Sequence, residues 1–324
     1  MSTASLSEFK TDAEIREIVE RYRRHLGDAR VLLDDKDVTD FYRNPQDDRI
    51  WVKTHSKGKT RSPYAQDPTN AAQFAAAIVQ AYGAELNEAN SRISCAIPYY
   101  PGRFTAFCPP TSRSGVGWIV RILHDNVMKL EDYLENGSIA NPKTVQDIRT
   151  LIAERANILI VGPQGAGKTT LLNTILDESA KVSKGRDRWV LIEDADELRC
   201  SDPDHIKLHV QSSADWTDLI AFALRTSSDR IVLGELRHGA TPLLDALSTG
   251  SPGYATGHGS SPAQGLRRIE TLLRNEGTIP DREEIAESIH AVIVMRRVGH
   301  ARIIRDVVRV AGLAPGGYAF KKVS

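Results

Sequence analysis

Cysteine is scarce in this 324-residue sequence: Cys95, Cys108 and Cys200 stand alone, and no C-x-x-C pair occurs. A structural zinc site needs closely spaced ligand pairs, so none is expected. An odd, sparse count suits a reducing cytoplasm rather than a disulfide-built secreted fold. No window approaches the roughly 20 consecutive apolar residues of a membrane span. The start, Met1-Ser-Thr-Ala-Ser-Leu-Ser7, lacks a charged segment followed by an apolar one, so no signal peptide is expected. Any membrane contact is then peripheral, at the inner face of the cytoplasmic membrane and through partners. An excess of either charge is missing too, since 42 basic residues cancel 42 acidic ones. Nothing in that balance resembles a nucleic-acid footprint, although a local patch can hide in a neutral total, and direct nucleic-acid binding is not expected. Near-neutrality also leaves little self-repulsion on association. Repeats and low-complexity tracts are absent. The remaining composition, 41% hydrophobic and 26% charged, is that of a soluble globular protein long enough for two domains.

The most informative stretch present is Gly162-Pro163-Gln164-Gly165-Ala166-Gly167-Lys168-Thr169, extended by Thr170. It fits G-x-x-x-x-G-K-[ST], the phosphate-binding loop. Before it, Asn157-Ile158-Leu159-Ile160-Val161 is a short apolar run of the kind a buried parallel strand requires. After it, Leu171, Leu172, Ile175 and Leu176 recur at helical spacing. In that context the glycines let backbone N–H groups point inward and hold a β-phosphate at a positive helix N-terminus. Lys168 reaches the β- and γ-phosphates, and the Thr169 hydroxyl holds Mg²⁺. The segment reads as a site for ATP or GTP.

The chain changes character along its length. Ile15, Ile18, Val19, Tyr22, Leu26, Ala29 and Leu33 mark one face of an amphipathic helix. A β-like piece follows at 49–53. Asp67 and Pro68 then read as N-cap and first residue of a helix carrying Phe74, Ile78 and Ala81 and closed by Gly83. Segments 92–97 and 103–107 read as strands joined through Pro98-Tyr-Tyr-Pro-Gly102. This predicts a smaller α+β domain over 1–134, a polar linker over 135–142 and a second domain over 143–324. In the second domain, strands at 157–161, 188–193, 206–210, 230–234 and 254–257 alternate with helices beginning at Lys168, Asp215, Ala240 and Pro262. That pattern is α/β, a mostly parallel, doubly wound sheet with its ligand at the carboxyl ends of the strands. Apolar runs at 289–297 and 302–310 add strands at the edge.

Two strands deliver carboxylates. Trp189-Val-Leu-Ile192 runs into Glu193-Asp194-Ala195-Asp196-Glu197, placing acids where they can bind Mg²⁺ or orient a water, or else form a solvated acidic turn. Arg230-Ile-Val-Leu233 runs into Gly234-Glu235, which makes Glu235 a candidate for polarising water rather than a plain metal ligand. Asp229 sits at the far end of that strand and reads as structural. Thr249-Gly-Ser-Pro-Gly-Tyr-Ala-Thr-Gly-His258-Gly-Ser260 is glycine-dense. It could bring the His258 ring to a γ-phosphate with Thr256 and Ser260 donating nearby, although a lone histidine is more often structural.

In their order these segments resemble the secretion (traffic) ATPases of type II and type IV secretion. Residues 162–170 look like the Walker A box, 192–198 the Asp box, 230–237 the Walker B box and 249–258 the His box. Val38-Thr-Asp-Phe41 followed by Trp51-Val52 resembles the opening of the conjugal-transfer (TrbB-like) branch. Arg103-Phe104 before Pro109-Pro110, and Trp118-Ile-Val-Arg121, match the segment where the family carries phosphate-contacting arginines. The bland alternative is that these are solvated strand residues, or pair with an acid such as Asp125. The resemblance implies a RecA-like P-loop NTPase domain and a Mg²⁺-dependent ATPase acting on ATP. It implies a homo-hexameric ring serving inner-membrane secretion or pilus machinery. Its catalytic set falls on Glu235, Glu193, His258, Arg121, Arg103 and Arg237, with Thr169 and Glu193 toward the metal. One departure is His258-Gly259-Ser260-Ser261, where the family usually has His-Ala-Asn-Ser. The Cys-rich motif common in type II secretion ATPases is absent, which favours the conjugation or type IV secretion branch. A pilus motor and a slowly cycling regulatory module are the competing readings; the second needs neither glutamate nor His258.

Overall fold

The first amphipathic run is cut short by Gly27, whose φ of +58° ends the helix in a left-handed conformation that glycine adopts without strain. The computed structural model describes residues 11–123, 127–210, 215–248, 250–299 and 301–323; Met1–Ser7, Asp125 and Thr249 lie outside them. The chain divides into two compact units, 1–125 and 126–324. In the first, α1 (Asp12–Leu26) starts at Thr11, whose hydroxyl accepts from the Glu14 amide while Glu14 reaches back to the Thr11 amide. A 3₁₀ turn (Gly27–Arg30) and α2 (Val31–Asp34) follow. One expected helix is thus three pieces, yet Ile18, Tyr22, Leu26, Ala29 and Leu33 are all buried together.

Strands β1 (Val38–Arg43), β2 (Arg49–Thr54) and β3 (Gly58–Ala65) precede α3 (Pro68–Gln80), which Asp67 caps by accepting from the Asn70 amide. Strands β4 (Arg92–Ile97), β5 (Tyr100–Phe107) and β6 (Gly117–Ile122) complete an antiparallel sheet of order β3-β2-β1-β6-β5-β4. One face is apolar. Phe41, Phe74, Phe104 and Trp118 meet edge-on there, with centroids 4.8 to 5.8 Å apart, the separation at which aromatic quadrupoles attract.

The second unit begins with α4 (Leu130–Glu135) and α5 (Pro142–Ala153). The expected linker 135–142 therefore lies inside this unit. Ile139 is the physical reason: it is 3% exposed within the core that also holds Leu130 and Ile148. Then come β7 (Ile158–Val161), α6 (Lys168–Ser183), β8 (Trp189–Glu193), β9 (His205–His209), α7 (Asp215–Ala223), β10 (Arg230–Leu233) and α8 (Ala240–Ser248). The chain closes with β11 (Gly253–Gly257), α9 (Pro262–Asn275), α10 (Arg282–Ser288), β12 (Ala291–Val298), β13 (Ala301–Ala314) and β14 (Gly317–Lys322). The sheet order is β14-β13-β12-β7-β11-β10-β8-β9, parallel from β12 to β9 and antiparallel from β12 to β14. The runs at 289–297 and 302–310 extend the sheet beyond β7, with β12 pairing directly with that strand and β13 lying outside it. The five leading residues of β12 are all buried, and a strand buried on both faces belongs in the interior of a parallel sheet.

Alternate residues of each parallel strand face two different cores. Leu159, Val161, Val190, Ile192, Ile231 and Leu233 pack under α7, α8, α9 and α10. Ile158, Ile160, Trp189, Leu191 and Val232 pack against α5 and α6. Burying each such aliphatic side chain stabilises by roughly 1.5–3 kcal/mol. No helix among the described residues is long and apolar enough to cross a membrane.

At the amino ends of the strands, a buried ionic network ties β8, β10 and β11 together. Arg230 donates to Asp187 at 3.0 Å and lies 5.4 Å from the Trp189 ring, while Arg155 reaches the same carboxylate at 2.7 Å. Asp229 accepts from the Arg188 amide at 2.8 Å, the structural place read for it. Removing one partner of a buried pair leaves an uncompensated charge. Arg230→Met should therefore destabilise the protein by about 3–5 kcal/mol, read as a lower chemical-denaturation midpoint. An unchanged midpoint would show that Arg155 alone satisfies Asp187.

Candidate functional site

The phosphate loop leaves the carboxyl end of β7 and turns into α6 with no side chain capping that helix. Gly165 and Gly167 take φ of +73° and +89°, values strained for any residue with a Cβ. Gly162 admits no side chain, because a Cβ there would stand 2.7 Å from the Met295 carbonyl oxygen. The result is a backbone cradle at an uncapped helix N-terminus, the arrangement that binds phosphate through N–H groups and the helix dipole. Lys168 lies mostly buried beneath it and donates to the Gly162 and Pro163 carbonyls at 3.2 and 3.3 Å. Burial pushes its ammonium below the usual value, and the Glu235 charge pulls the other way.

Glu193 ends β8 and is 2% exposed. Its Oε2 accepts from the Glu197 and Leu198 amides at 2.6 and 2.9 Å, so one oxygen organises the acidic turn. Its Oε1 is buried without a hydrogen-bond partner. Burial raises this carboxyl above its usual range, against the pull of those amides. An unsatisfied buried acceptor beside a phosphate cradle fits a divalent ion or its water, so these residues suit Mg²⁺.

Glu235 follows β10 and faces an arginine and a histidine. Arg237 donates to its Oε2 at 2.8 Å, and His258 Nε2 lies 2.7 Å from Oε1. Burial alone would raise this carboxyl, but Arg237, His258 and Lys168 together hold it below its usual range. Arg237 also reaches Asp194 at 2.9 Å, so it bridges the two acidic strand ends. Gly234 permits their approach, since a Cβ there would meet the Glu193 Cβ at 3.0 Å. Thr256 donates to the Gly234 carbonyl at 2.6 Å, fixing β11 to β10 beside the carboxylate. Ser260 instead contacts Gln264 at 2.7 Å and belongs to the start of α9.

Lys168, Glu193, Glu235, Arg237 and His258 thus gather at one edge of one sheet. Thr169 and Thr170 open α6 beside them. Arg103 and Arg121 belong to the first unit, where they are cross-strand neighbours on β5 and β6. Arg121 donates to Asp40 at 3.0 Å and Arg103 to Ser94 at 3.1 Å.

Two arginines that the sequence reading passed over flank the loop. A Cβ on Gly167 would stand 3.1 Å from Arg302 Cδ, and one on Gly165 would stand 3.7 Å from Arg297 Nη1. The signal was available: the apolar run 289–297 ends in Arg296-Arg297, as the other parallel strands end in chemistry.

The parallel-rich sheet with a phosphate loop, following a smaller antiparallel unit, defines an α/β P-loop NTPase. Residues 89–304 match the family described as Type II/IV secretion system protein. The chain is 31% identical over 304 residues to the conjugal transfer protein TrbB of Rhizobium radiobacter, spanning 93% of each. It is structurally similar to the ATPase DotB of Legionella pneumophila, with TM-score 0.61 at 19% identity over 95% of this chain and 83% of that one. It is similar also to the pilus retraction motor PilT with bound ADP, with TM-score 0.59 at 19% identity over 93% and 82%. These two likenesses show a shared fold. The chain belongs to the Type II/IV secretion system protein family.

The state of Glu193 has a measurable consequence. A carboxyl whose folded-state pKa is raised favours folding with its proton on. Its contribution is full below the unfolded value of about 4.3 and is lost as pH rises through the folded one. Glu193→Gln keeps an acceptor for the two amides and removes that loss. The stability of this variant relative to wild type should therefore grow as pH rises above the unfolded value of about 4.3. Glu193→Ala should instead lose roughly 1–3 kcal/mol, through two orphaned N–H groups. A pH-independent difference for the glutamine variant would contradict the assignment.

Proposed function

We propose that this protein is a Mg²⁺-dependent ATPase that powers type IV secretion or conjugal transfer. The observation that carries the reading is Glu235, held ionised between Arg237 and His258 at the same sheet edge as the phosphate loop. The Gly162–Thr170 segment holds the phosphates, with Lys168 exchanging its two loop carbonyls for phosphate oxygens. Bound Mg²⁺ would supply charge neutralisation on those oxygens, held by the Thr169 hydroxyl and by Glu193 through its free oxygen or a water. Glu235 accepts a proton from the attacking water. His258 and Arg237 orient that carboxylate and face the charge that develops on the terminal phosphate. Arg103 and Arg121 act as arginines toward that phosphate. The chain assembles as a homo-hexameric ring, cytoplasmic and peripheral to the membrane through secretion-machinery partners.

Lys168→Ala should abolish turnover and strongly weaken nucleotide binding, because the lysine offsets phosphate charge in a low-dielectric site. Glu235→Gln should keep ATP bound while hydrolysis falls by about 10²-fold or more. A phosphate-release assay beside equilibrium binding separates the two effects. Wild-type rates in the lysine variant would refute the site, whereas normal turnover in Glu235→Gln with a dead Glu193→Gln would reverse the two carboxylate roles.

Assembly is checked by light scattering with ATP and Mg²⁺. The expected mass is that of a ring, in which head-to-tail contacts close without unpaired interfaces. A strictly monomeric mass at high protein concentration would rule the ring out.

A further inference from the structure

The β12–β13 hairpin places two arginines against the phosphate loop, and neither has a carboxylate partner among the described residues. Arg297 and Arg302 are direct cross-strand partners in the β12–β13 pairing. Like charges facing one another across a ladder destabilise it. Each nevertheless stands where it does: Arg302 against Gly167, Arg297 against Gly165. Among the described residues Arg297 hydrogen-bonds just the Gly299 carbonyl, at 2.9 Å, and no ion pair among them involves either side chain. By contrast, Arg305 on the same strand has both Asp306 and the Ser260 carbonyl. The protein thus holds an uncompensated pair of cations beside a cradle of amides, an arrangement completed by an anion.

The sheet order says which part of the anion. Glu193, Glu235 and His258 lie at the ends of β8, β10 and β11, all on one side of β7, whereas β12 and β13 lie on the other. A triphosphate seated on the α6 N-terminus with its terminal phosphate toward the carboxylates turns its nucleoside end toward the hairpin. Guanidinium groups suit that end, pairing with phosphate oxygens through their N–H fork and stacking flat on a base.

We propose that Arg302 and Arg297 form a subsite for the α-phosphate and nucleoside end of a nucleoside di- or triphosphate, the part that ADP and ATP share. The subsite rests on the phosphate-loop reading above and adds a role those residues do not have: it governs retention of nucleotide, not hydrolysis. Removing one of two facing, unpaired cations also relieves repulsion, so the arginines serve binding at the expense of the empty fold.

The test uses the full chain carrying Glu235→Gln, so that ATP survives, and measures Mg²⁺-ADP and Mg²⁺-ATP affinity by calorimetry for Arg302→Ala, Arg297→Ala and Lys168→Ala. Each arginine variant should lose ADP and ATP affinity alike, by on the order of tenfold. On the otherwise wild-type background, kcat at saturation should stay unchanged while KM rises. Thermal melting without nucleotide should be equal to or higher than that of the parent, whereas a merely structural arginine would lower it. Arg302→Lys should restore affinity in part, having the charge without the fork. Unchanged ADP affinity in both alanine variants would overturn the proposal, and so would a loss confined to ATP, which would move the arginines to the terminal phosphate. Failure of the underlying reading is distinguishable, because the Lys168→Ala comparison would then show no loss either.

Discussion

The parallel pairing of β7 with β11 on one side and β12 on the other is the constraint on which the site depends. Four apolar residues, Ile158 to Val161, are buried on both faces of the sheet, and this fixes where the chain emerges as the loop. The backbone packing around that exit leaves no tolerance: Gly162 lies against the Met295 carbonyl of β12, and a Cβ on Gly265 of α9 would meet Val161 at 2.8 Å. The loop is therefore held between a neighbouring strand and a helix, and its shape is inherited from the core. Because all the strands from β12 to β9 run the same way, their carboxyl ends present the loop, two glutamates, a histidine and an arginine pair along a single edge. Ligand chemistry at the carboxyl ends of an open α/β sheet follows from that geometry.

Charge is distributed unevenly along the edge. On the β8–β10–β11 side, Arg237 is shared by Asp194 and Glu235, and Glu235 is shared by Arg237 and His258. The carboxylates there are nearly neutralised, except for the free oxygen of Glu193. On the β12–β13 side, Arg297 and Arg302 make no ion pair among the described residues, although Arg305 has Asp306. The two flanks meet at the loop, so guanidinium groups lie on one side of it and carboxylates on the other. The opposite edge of the sheet is closed by the Asp187, Arg155 and Arg230 network, in which every charge has its partner. Paired charges thus lie at the amino ends of the strands, and the free carboxylate oxygen of Glu193 lies at the carboxyl ends.

Much of this was legible in the sequence. Strand and helix positions around the loop could be read because buried parallel strands are short continuous apolar runs and α6 begins at the Lys168 of the motif itself. The starts of α7, α8 and α9 were legible for a similar reason, each marked by Asp215, Ala240 or Pro262 after a polar turn. The position of β12 was not legible, because periodicity shows that a run is buried without showing which strand it pairs with. The pairing of β12 with β7 is what brings Arg297 and Arg302 against the loop. The helix break at Gly27 was hidden because apolar spacing continues through Ala29 and Leu33 in the 3₁₀ turn and α2. The 135–142 segment looked like a linker from its Asn, Gly, Ser and Pro content, but buried Ser138 and Ile139 anchor it.

Arg121 is one of two cations that share a nearly buried carboxylate. Asp40 is 8% exposed. Burial works to raise its carboxyl, and Arg121, Lys53 and Thr39 together hold it below the usual range. Arg121 Nε and Lys53 Nζ sit at 3.0 and 3.2 Å on different oxygens, and Thr39 donates a third bond at 2.9 Å. An arginine whose only acid partner had no other cation would strand a buried charge on leaving, a loss of several kcal/mol. Here Lys53 and Thr39 also hold Asp40, both through its Oδ2, so the carboxylate serves two cations. Val38-Thr39-Asp40-Phe41 carries this arrangement within four residues: Phe41 points into the aromatic core while Asp40, one position earlier, lies on the opposite face of the strand beside Arg121.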